Sequence, residues 1–306
     1  MKESMRILTT ALASCVLLCP ASAFADPVHD ALDAYALYQS DVSTLLDSDI
    51  SSGRAVDAAL ARLSRHNLAN VGRGWIAYGA LTAAQSPVFA AGVQRSLRGE
   101  DRALVLRGLR DDLTYARRFQ NGSDQAIQLI LTAANADSAR AANAGERYDD
   151  YARTAPTVQF VSSTFHVDLG GVARLNAAML ERLHVGALAA RPMSDATAFG
   201  GARFWDSLAG REAHASSARG GRERQDYASV TDHMLTLGAL VAADADSNQR
   251  RIADLLDEPL TQQCMLMQHL QLRQCLSVSV DATERAYCMG HHALEGPGGC
   301  FSNVAR

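Results

Sequence analysis

Residues 264–300 read CMLMQHLQLRQCLSVSVDATERAYCMGHHALEGPGGC and contain four cysteines, Cys264, Cys275, Cys288 and Cys300. An even set of cysteines clustered in this way in an exported protein predicts two disulfides. The segment from Cys264 to Leu276 looks helical, which separates Cys264 and Cys275 by about 16 Å along the helix axis. A disulfide needs Cα atoms within roughly 7 Å, so these two cannot pair unless the helix breaks.

The residues between Cys275 and Cys288 indicate a second helix. The sequence Asp281-Ala282-Thr283-Glu284 has the form of a capping box and follows a turn at residues 277–280. Two helices joined by a short turn run antiparallel, which favours the nested pairing Cys275–Cys288 and Cys264–Cys300. The crossed pairing, Cys264–Cys288 with Cys275–Cys300, is harder to form and stays open. We predict a disulfide-stapled helical hairpin over residues 258–306, packed on the rest of the chain.

Residues 26–257 show apolar residues near helical spacing, separated by turn signals. Asp26-Pro27, Ser51-Ser52-Gly53 and Ser86-Pro87 are typical helix starts. Residues 101–119 predict one continuous helix, and glycines at 72, 74 and 79 predict a loosened helix around Trp75. Residues 157–168 form the one β-like stretch, and a lone strand has no partner, so we interpret it as irregular or helical. The pattern predicts an all-α multi-helix bundle.

Residues 1–25 have the features of a cleaved secretory signal. Lys2 and Arg6 precede an apolar stretch, and Ala23-Phe24-Ala25 predicts cleavage before Asp26. The apolar stretch is shorter than the roughly 20 residues that a membrane-spanning helix needs. An alternative remains, because residues 12–15 have the form of a lipobox, which would place a lipid anchor on Cys15. The sequence therefore predicts a periplasmic or secreted protein, without a transmembrane segment in the mature chain.

Composition excludes several chemistries. Lys2 is the only lysine, so the mature chain has no phosphate-binding P-loop lysine, no Ser-x-x-Lys nucleophile pair and no Schiff-base lysine. The formal net charge of the whole chain is −4 and no basic stripe stands out, so no nucleic-acid partner is predicted. The Gly-x-Ser-x-Gly and His-Glu-x-x-His motifs are also absent.

One candidate ligand site lies in the glycine-rich middle of the chain. Glycine allows close backbone approach, while arginine and tryptophan can hold an anionic or ring-bearing ligand. The glycine pairs of this region, at 170–171, 200–201 and 220–221, are more typical of turns, with the aromatic residues buried. The candidate ligand-binding residues are Arg203, Phe204, Trp205, His214 and His233.

The C-terminal hairpin offers a candidate copper site. Thioether and imidazole ligands together suit copper, and the candidate ligands are Met265, Met267, His269, Met289, His291 and His292. The competing interpretation is that the methionines pack the hairpin and the histidines lie on a surface turn.

Three functional hypotheses follow. The first is a non-enzymatic binding or interaction protein of the bacterial cell envelope, with an apolar or aromatic groove. The second is a periplasmic hydrolase with its site near Trp205, where His214 or His233 would meet a carboxylate. The third is a copper-binding protein. The first is favoured because no catalytic motif stands out, although an enzyme is not excluded.

Export decides whether the four late cysteines are oxidised. We expect protein recovered from a bacterial envelope fraction to begin at Asp26 and to carry two disulfides, as N-terminal sequencing and thiol labelling would show. An intact N-terminus on cytosolic protein, with these four thiols free, would contradict the prediction.

Overall fold

A computed structural model describes residues 25–99, 101–119, 122–155, 220–245 and 249–305. Regular structure in these ranges is helical, and the one β feature among them is an isolated bridge between Glu223 and Ala305. The helices are α1 (Ala25–Asp47), α2 (Gly53–Leu63), α3 (Leu68–Ala84), α4 (Pro87–Gly99), α5 (Arg102–Asp111), α6 (Gly122–Thr154), α7 (Ala228–Ala242), α8 (Gln249–Leu256), α9 (Pro259–Val278), α10 (Ala282–Met289) and α11 (Gly296–Ser302). The all-α prediction is confirmed, while the β-like residues 157–168 lie outside the described ranges.

The core is built around α3, which packs between α1 and α7. Four fully buried aromatic side chains meet there: Tyr35 from α1, Trp75 and Tyr78 from α3, and Phe301 from α11. The Phe301 ring centroid lies 5.2 Å from that of Tyr35 and 5.5 Å from that of Trp75. Such aromatic contacts add to the free energy of burying apolar area. The last helix therefore contributes to the same core as the first.

The predicted loosening of α3 by its glycines is wrong. α3 is continuous from Leu68 to Ala84. A Cβ at Gly74 would collide with Tyr35 and with the α1 backbone, and a Cβ at Gly79 would collide with Met234 of α7. These glycines bring three helices into close contact instead of interrupting one.

Residues 101–119 do not form one helix, which corrects a second prediction. α5 ends at Asp111, and Asp112 leaves the helix with φ −123° and ψ 107°. The Asp112 carboxylate accepts hydrogen bonds from the backbone N–H and hydroxyl of Thr114 at 2.9 and 2.7 Å. Side-chain bonding of this kind competes with the helix, and a 3₁₀ turn at Tyr115–Arg118 follows.

The predicted start of α1 also needs correction, because Asp26 lies within α1 and is not its N-cap.

The nested disulfide prediction is confirmed. Cys264 pairs with Cys300 and Cys275 pairs with Cys288, with Cα–Cα distances of 5.8 and 5.6 Å. α10 begins after Asp281, whose carboxylate accepts from the backbone N–H of Thr283 and Glu284, as the capping box predicts. The inner disulfide, Cys275–Cys288, joins the end of α9 to α10. The outer disulfide, Cys264–Cys300, joins α9 to α11.

A π-helix, Gly290–Glu295, connects α10 to α11 and crosses α6. The contact is made between backbones: a Cβ on Gly145 of α6 would lie 2.7 Å from the carbonyl oxygen of Gly290. A Cβ on Gly290 would lie 2.8 Å from the carbonyl oxygen of Gly145. Real Cβ atoms do not approach backbone oxygen so closely, and only glycine on both elements permits this crossing.

Two arginines join neighbouring helices, one between α10 and α2 and the other between α6 and the end of α1. Arg285 of α10 donates to both carboxylate oxygens of Asp57 on α2, at 2.8 and 3.3 Å. Arg147 of α6 donates to the carbonyl oxygens of Leu45, Leu46 and Ser48, where α1 ends. Helix C-termini leave carbonyl groups without helical partners, so Arg147 caps α1 and holds α6 against it.

Replacing Gly145 with alanine tests the backbone crossing. We expect Gly145→Ala to lower the free energy of unfolding by about 1–3 kcal/mol, because the new methyl group has no space and overpacking is costly. Gly299→Ala is the matched control, since nothing lies within 4 Å of a Cβ at that helical position. It should be neutral or slightly stabilising. Urea unfolding measures both, and equal effects would contradict the crossing.

Candidate functional site

A groove of about 590 Å³ lies where the end of α6, the end of α9 and α10 come together. Its volume falls within the range of small-molecule sites in proteins. The residues that line it are Asp149, Ala152, Arg153, Cys275, Val278, Ser279, Thr283, Glu284, Tyr287, Cys288 and His291. The inner disulfide therefore forms part of its wall.

Apolar groups dominate the exposed wall of the groove. Val278 is 74% exposed and Tyr287 is 48% exposed, although both are large apolar or aromatic side chains. Ala152 and the Cys275–Cys288 disulfide extend this wall. Exposed apolar side chains grouped around a concavity are typical of a binding surface, whereas single exposed ones are ordinary.

The polar side of the groove centres on His291, the second residue of the π-helix. Its Nδ1 atom lies 3.0 Å from a carboxylate oxygen of Glu295, and its Nε2 atom lies 3.5 Å from Oδ1 of Asp149. The imidazole ring packs on Tyr287 with a centroid distance of 4.4 Å. π-Helical turns occur frequently at functional sites, and this one brings His291 against α6.

The remaining charged residues of the groove already have partners. Arg153 pairs with Asp149 and with Asp150, the latter at 2.5 Å. A carboxylate oxygen of Glu284 accepts a hydrogen bond from the backbone N–H of Val280 at 2.5 Å. The groove thus combines an apolar wall with two carboxylates, one guanidinium and one imidazole, all held in position by the helices that carry them.

Of the predicted copper ligands, only His291 lines this groove. Met265 is buried against α3 near Gly72, whereas Met267 is exposed, so the two lie on opposite sides of α9. Met289 is also fully buried. His269 and His292 are half-buried, and desolvation lowers the pKa of each. Within the described ranges, no group of three or more His, Cys, Asp or Glu side chains could hold a metal ion.

Of the ligand site predicted in the glycine-rich middle, only His233 falls within the described part of the chain. His233 lies on α7 and its Nδ1 donates to the Leu255 carbonyl oxygen of α8 at 2.8 Å. Its neighbour Asp232 pairs with Arg117, so Asp232 and His233 are tied to different elements. Arg203, Phe204, Trp205 and His214 lie outside the described residues.

A second histidine–carboxylate contact is buried between α1 and the region around the end of α2. Asp41 of α1 accepts hydrogen bonds from Nε2 of His66 at 2.7 Å and from Arg62 at 2.8 Å, with Arg65 at 3.4 Å. The Asp41 side chain is 4% exposed. Burial by itself would raise the pKa of Asp41, but hydrogen bonds and charge from His66 and Arg62 outweigh burial and hold that pKa below its ordinary value. This cluster joins α1 to the end of α2 and to the turn that follows it.

The sequence did not single out Asp149, Arg153, Val278 or Tyr287. Residues 147–151 have the pattern of a charged helix face, and residue 278 falls in the predicted turn at 277–280. Nested disulfides would have placed 278, 287 and 291 near one another, because Cys275 and Cys288 are joined. Nothing in the sequence pattern predicts that α6 forms the third wall.

Comparisons with protein-family models, with curated proteins and with solved structures find no significant match to this chain. In the part of the chain that the structure describes, no single helix is long and apolar enough to cross a membrane. α3 and α4 pass a test of length and composition only as a pair bent by 76°, a result that buried core helices also give.

The Asp41 cluster predicts a defined pH dependence of stability. Its depressed pKa contributes stability that is present above the unfolded-state pKa of about 3.9 and is lost as the pH falls through the folded-state pKa. Asp41→Asn should lower the free energy of unfolding by about 2 kcal/mol at neutral pH. The difference from wild type should shrink below about pH 4, as urea unfolding at several pH values would show. A difference that stays constant down to pH 3 would contradict the assignment.

Proposed function

We propose that this protein is exported from the cytoplasm and acts as a helical binding protein of the bacterial cell envelope, with the groove as its ligand site. The observation that carries the proposal is the groove itself. It has the volume of a small-molecule site, and its exposed apolar wall faces a small set of fixed polar groups.

The two disulfides support the cellular location. Disulfides persist in oxidising compartments and are rare in the cytosol, so the Cys264–Cys300 and Cys275–Cys288 bonds favour an extracytoplasmic protein. The secretory signal predicted in residues 1–25 points in the same direction. Together they favour the periplasm or the extracellular space.

The lining favours an apolar ligand that carries a hydrogen-bond donor or a positive charge. The lining contains two carboxylates, on Asp149 and Glu284, and one guanidinium, on Arg153, which Asp149 and Asp150 already engage. The Tyr287 ring is half-exposed and offers an aromatic face to a ring or a cation. An arylalkylamine, which joins an aromatic ring to a positively charged ammonium group, matches both the apolar wall and the carboxylates of the groove.

Tryptamine, indole and indole-3-acetate share the indole ring and differ in charge: the first is positive, the second uncharged and the third negative. We expect tryptamine to bind most tightly and indole-3-acetate most weakly, because carboxylates attract the ammonium group and repel the acetate. NMR titration that follows the amide signals of Ala152, Tyr287 and His291 measures the affinities. The same three signals should shift with each probe that binds.

A pair of arginine variants on α9 tests whether binding occurs in the groove. Val278→Arg should weaken tryptamine binding about tenfold or more, since it fills the groove and repels the amine. Leu266→Arg is the control, because Leu266 is 57% exposed on the same helix but does not line the groove. Absence of saturable shifts in wild type, or equal weakening by both variants, would overturn the proposal.

A further inference from the structure

The two disulfides have different surroundings. Cys275 and Cys288 both line the groove, whereas neither Cys264 nor Cys300 does. The Sγ atom of Cys264 is instead contacted by the side-chain amide of Asn303 at 3.6 Å. A reagent in the groove therefore meets the inner disulfide and not the outer one.

The two cysteines of the inner disulfide differ in exposure. Cys275 is half-buried, while Cys288 is only 2% exposed. Cys264 and Cys300 show a similar difference, so the groove, and not exposure alone, sets the inner disulfide apart. Thiol–disulfide exchange requires a thiolate to approach one sulfur along the S–S bond, so access decides which sulfur is attacked. The geometry directs attack to Cys275 and makes Cys288 the leaving sulfur.

The structural contributions of the two crosslinks differ as well. The outer disulfide spans a sequence separation of 36 residues and anchors α11, which carries Phe301 into the aromatic core. The inner disulfide spans 13 residues around an exposed turn that includes Val280. Loss of the shorter crosslink relaxes a smaller closed loop and leaves α11 attached. The inner bond can therefore open while the core is retained.

We propose that the Cys275–Cys288 disulfide is a thiol-exchange site that small thiols reach through the groove. A thiolate attacks Sγ of Cys275, the S–S bond breaks, and the electron pair leaves on Sγ of Cys288, which takes up a proton from water. A second thiolate then attacks the external sulfur of the mixed disulfide and releases Cys275. The protein gains two electrons and two protons, and two molecules of the external thiol become its disulfide.

This inference uses the same groove as the proposed binding function and adds a means of regulating it. The inner disulfide holds the end of α9 against α10, and these helices carry Val278 and Tyr287. Reduction removes that restraint from two walls of the groove. Exchange needs an open groove but no bound amine, so the thiol assay and the tryptamine titration can fail independently.

Reduced glutathione serves as the probe, applied at neutral pH to the folded, fully oxidised protein. Free thiols are blocked at timed intervals, and peptide-resolved mass spectrometry follows each cysteine. We expect Cys275–Cys288 to be reduced at least roughly tenfold faster than Cys264–Cys300, with glutathione attached to Cys275 and not to Cys288. Circular dichroism of the partly reduced protein should retain its helical signal.

Two separate tryptophan variants on α9 test whether the thiol enters through the groove. Val278→Trp should slow reduction of the inner disulfide several-fold by covering the groove, whereas Leu266→Trp should leave it unchanged. Equal reduction rates at the two disulfides, attachment of glutathione to Cys288, or reduction that proceeds only with loss of helical signal would overturn the proposal.

Discussion

The backbone crossing between Gly145 of α6 and Gly290 of the π-helix is the constraint on which the candidate site depends. Each glycine stands where a Cβ would meet the carbonyl oxygen of the other, at 2.7 and 2.8 Å. The close approach brings the last turns of α6 against the C-terminal hairpin. Asp149, Ala152 and Arg153 follow Gly145 along α6 and thereby become one wall of the groove.

The C-terminal 43 residues combine two roles that use different parts of the same hairpin. The outer disulfide and Phe301 integrate α11 into a core that begins with Tyr35 of α1. The inner disulfide, Val278, Tyr287 and His291 face outward into the groove. This division lets one segment stabilise the bundle and present a binding surface, because Cys264 lies near the start of α9 and Cys275 near its end.

Much of the fold was predictable from local pattern. The starts of α2 at Gly53 and of α4 at Pro87 follow from capping and proline chemistry, which depends on a few adjacent residues. The break after α5 was missed because the apolar spacing of 101–119 continues through Asp112, whose side chain bonds to Thr114 and ends the helix. The glycines of α3 were misjudged because their effect depends on which helices lie against them.

The sequence alone determined the helical class and several helix starts, and it favoured the nested disulfide pairing over the crossed one, because each rests on local periodicity, capping or the length of a short hairpin. Only the tertiary structure decided where a site forms. The groove needs residues from α6 and from the hairpin, separated by more than a hundred positions, and no local signal records that two glycines will allow their backbones to touch. Contacts of this range are set by the packing of whole helices, which a single sequence does not spell out.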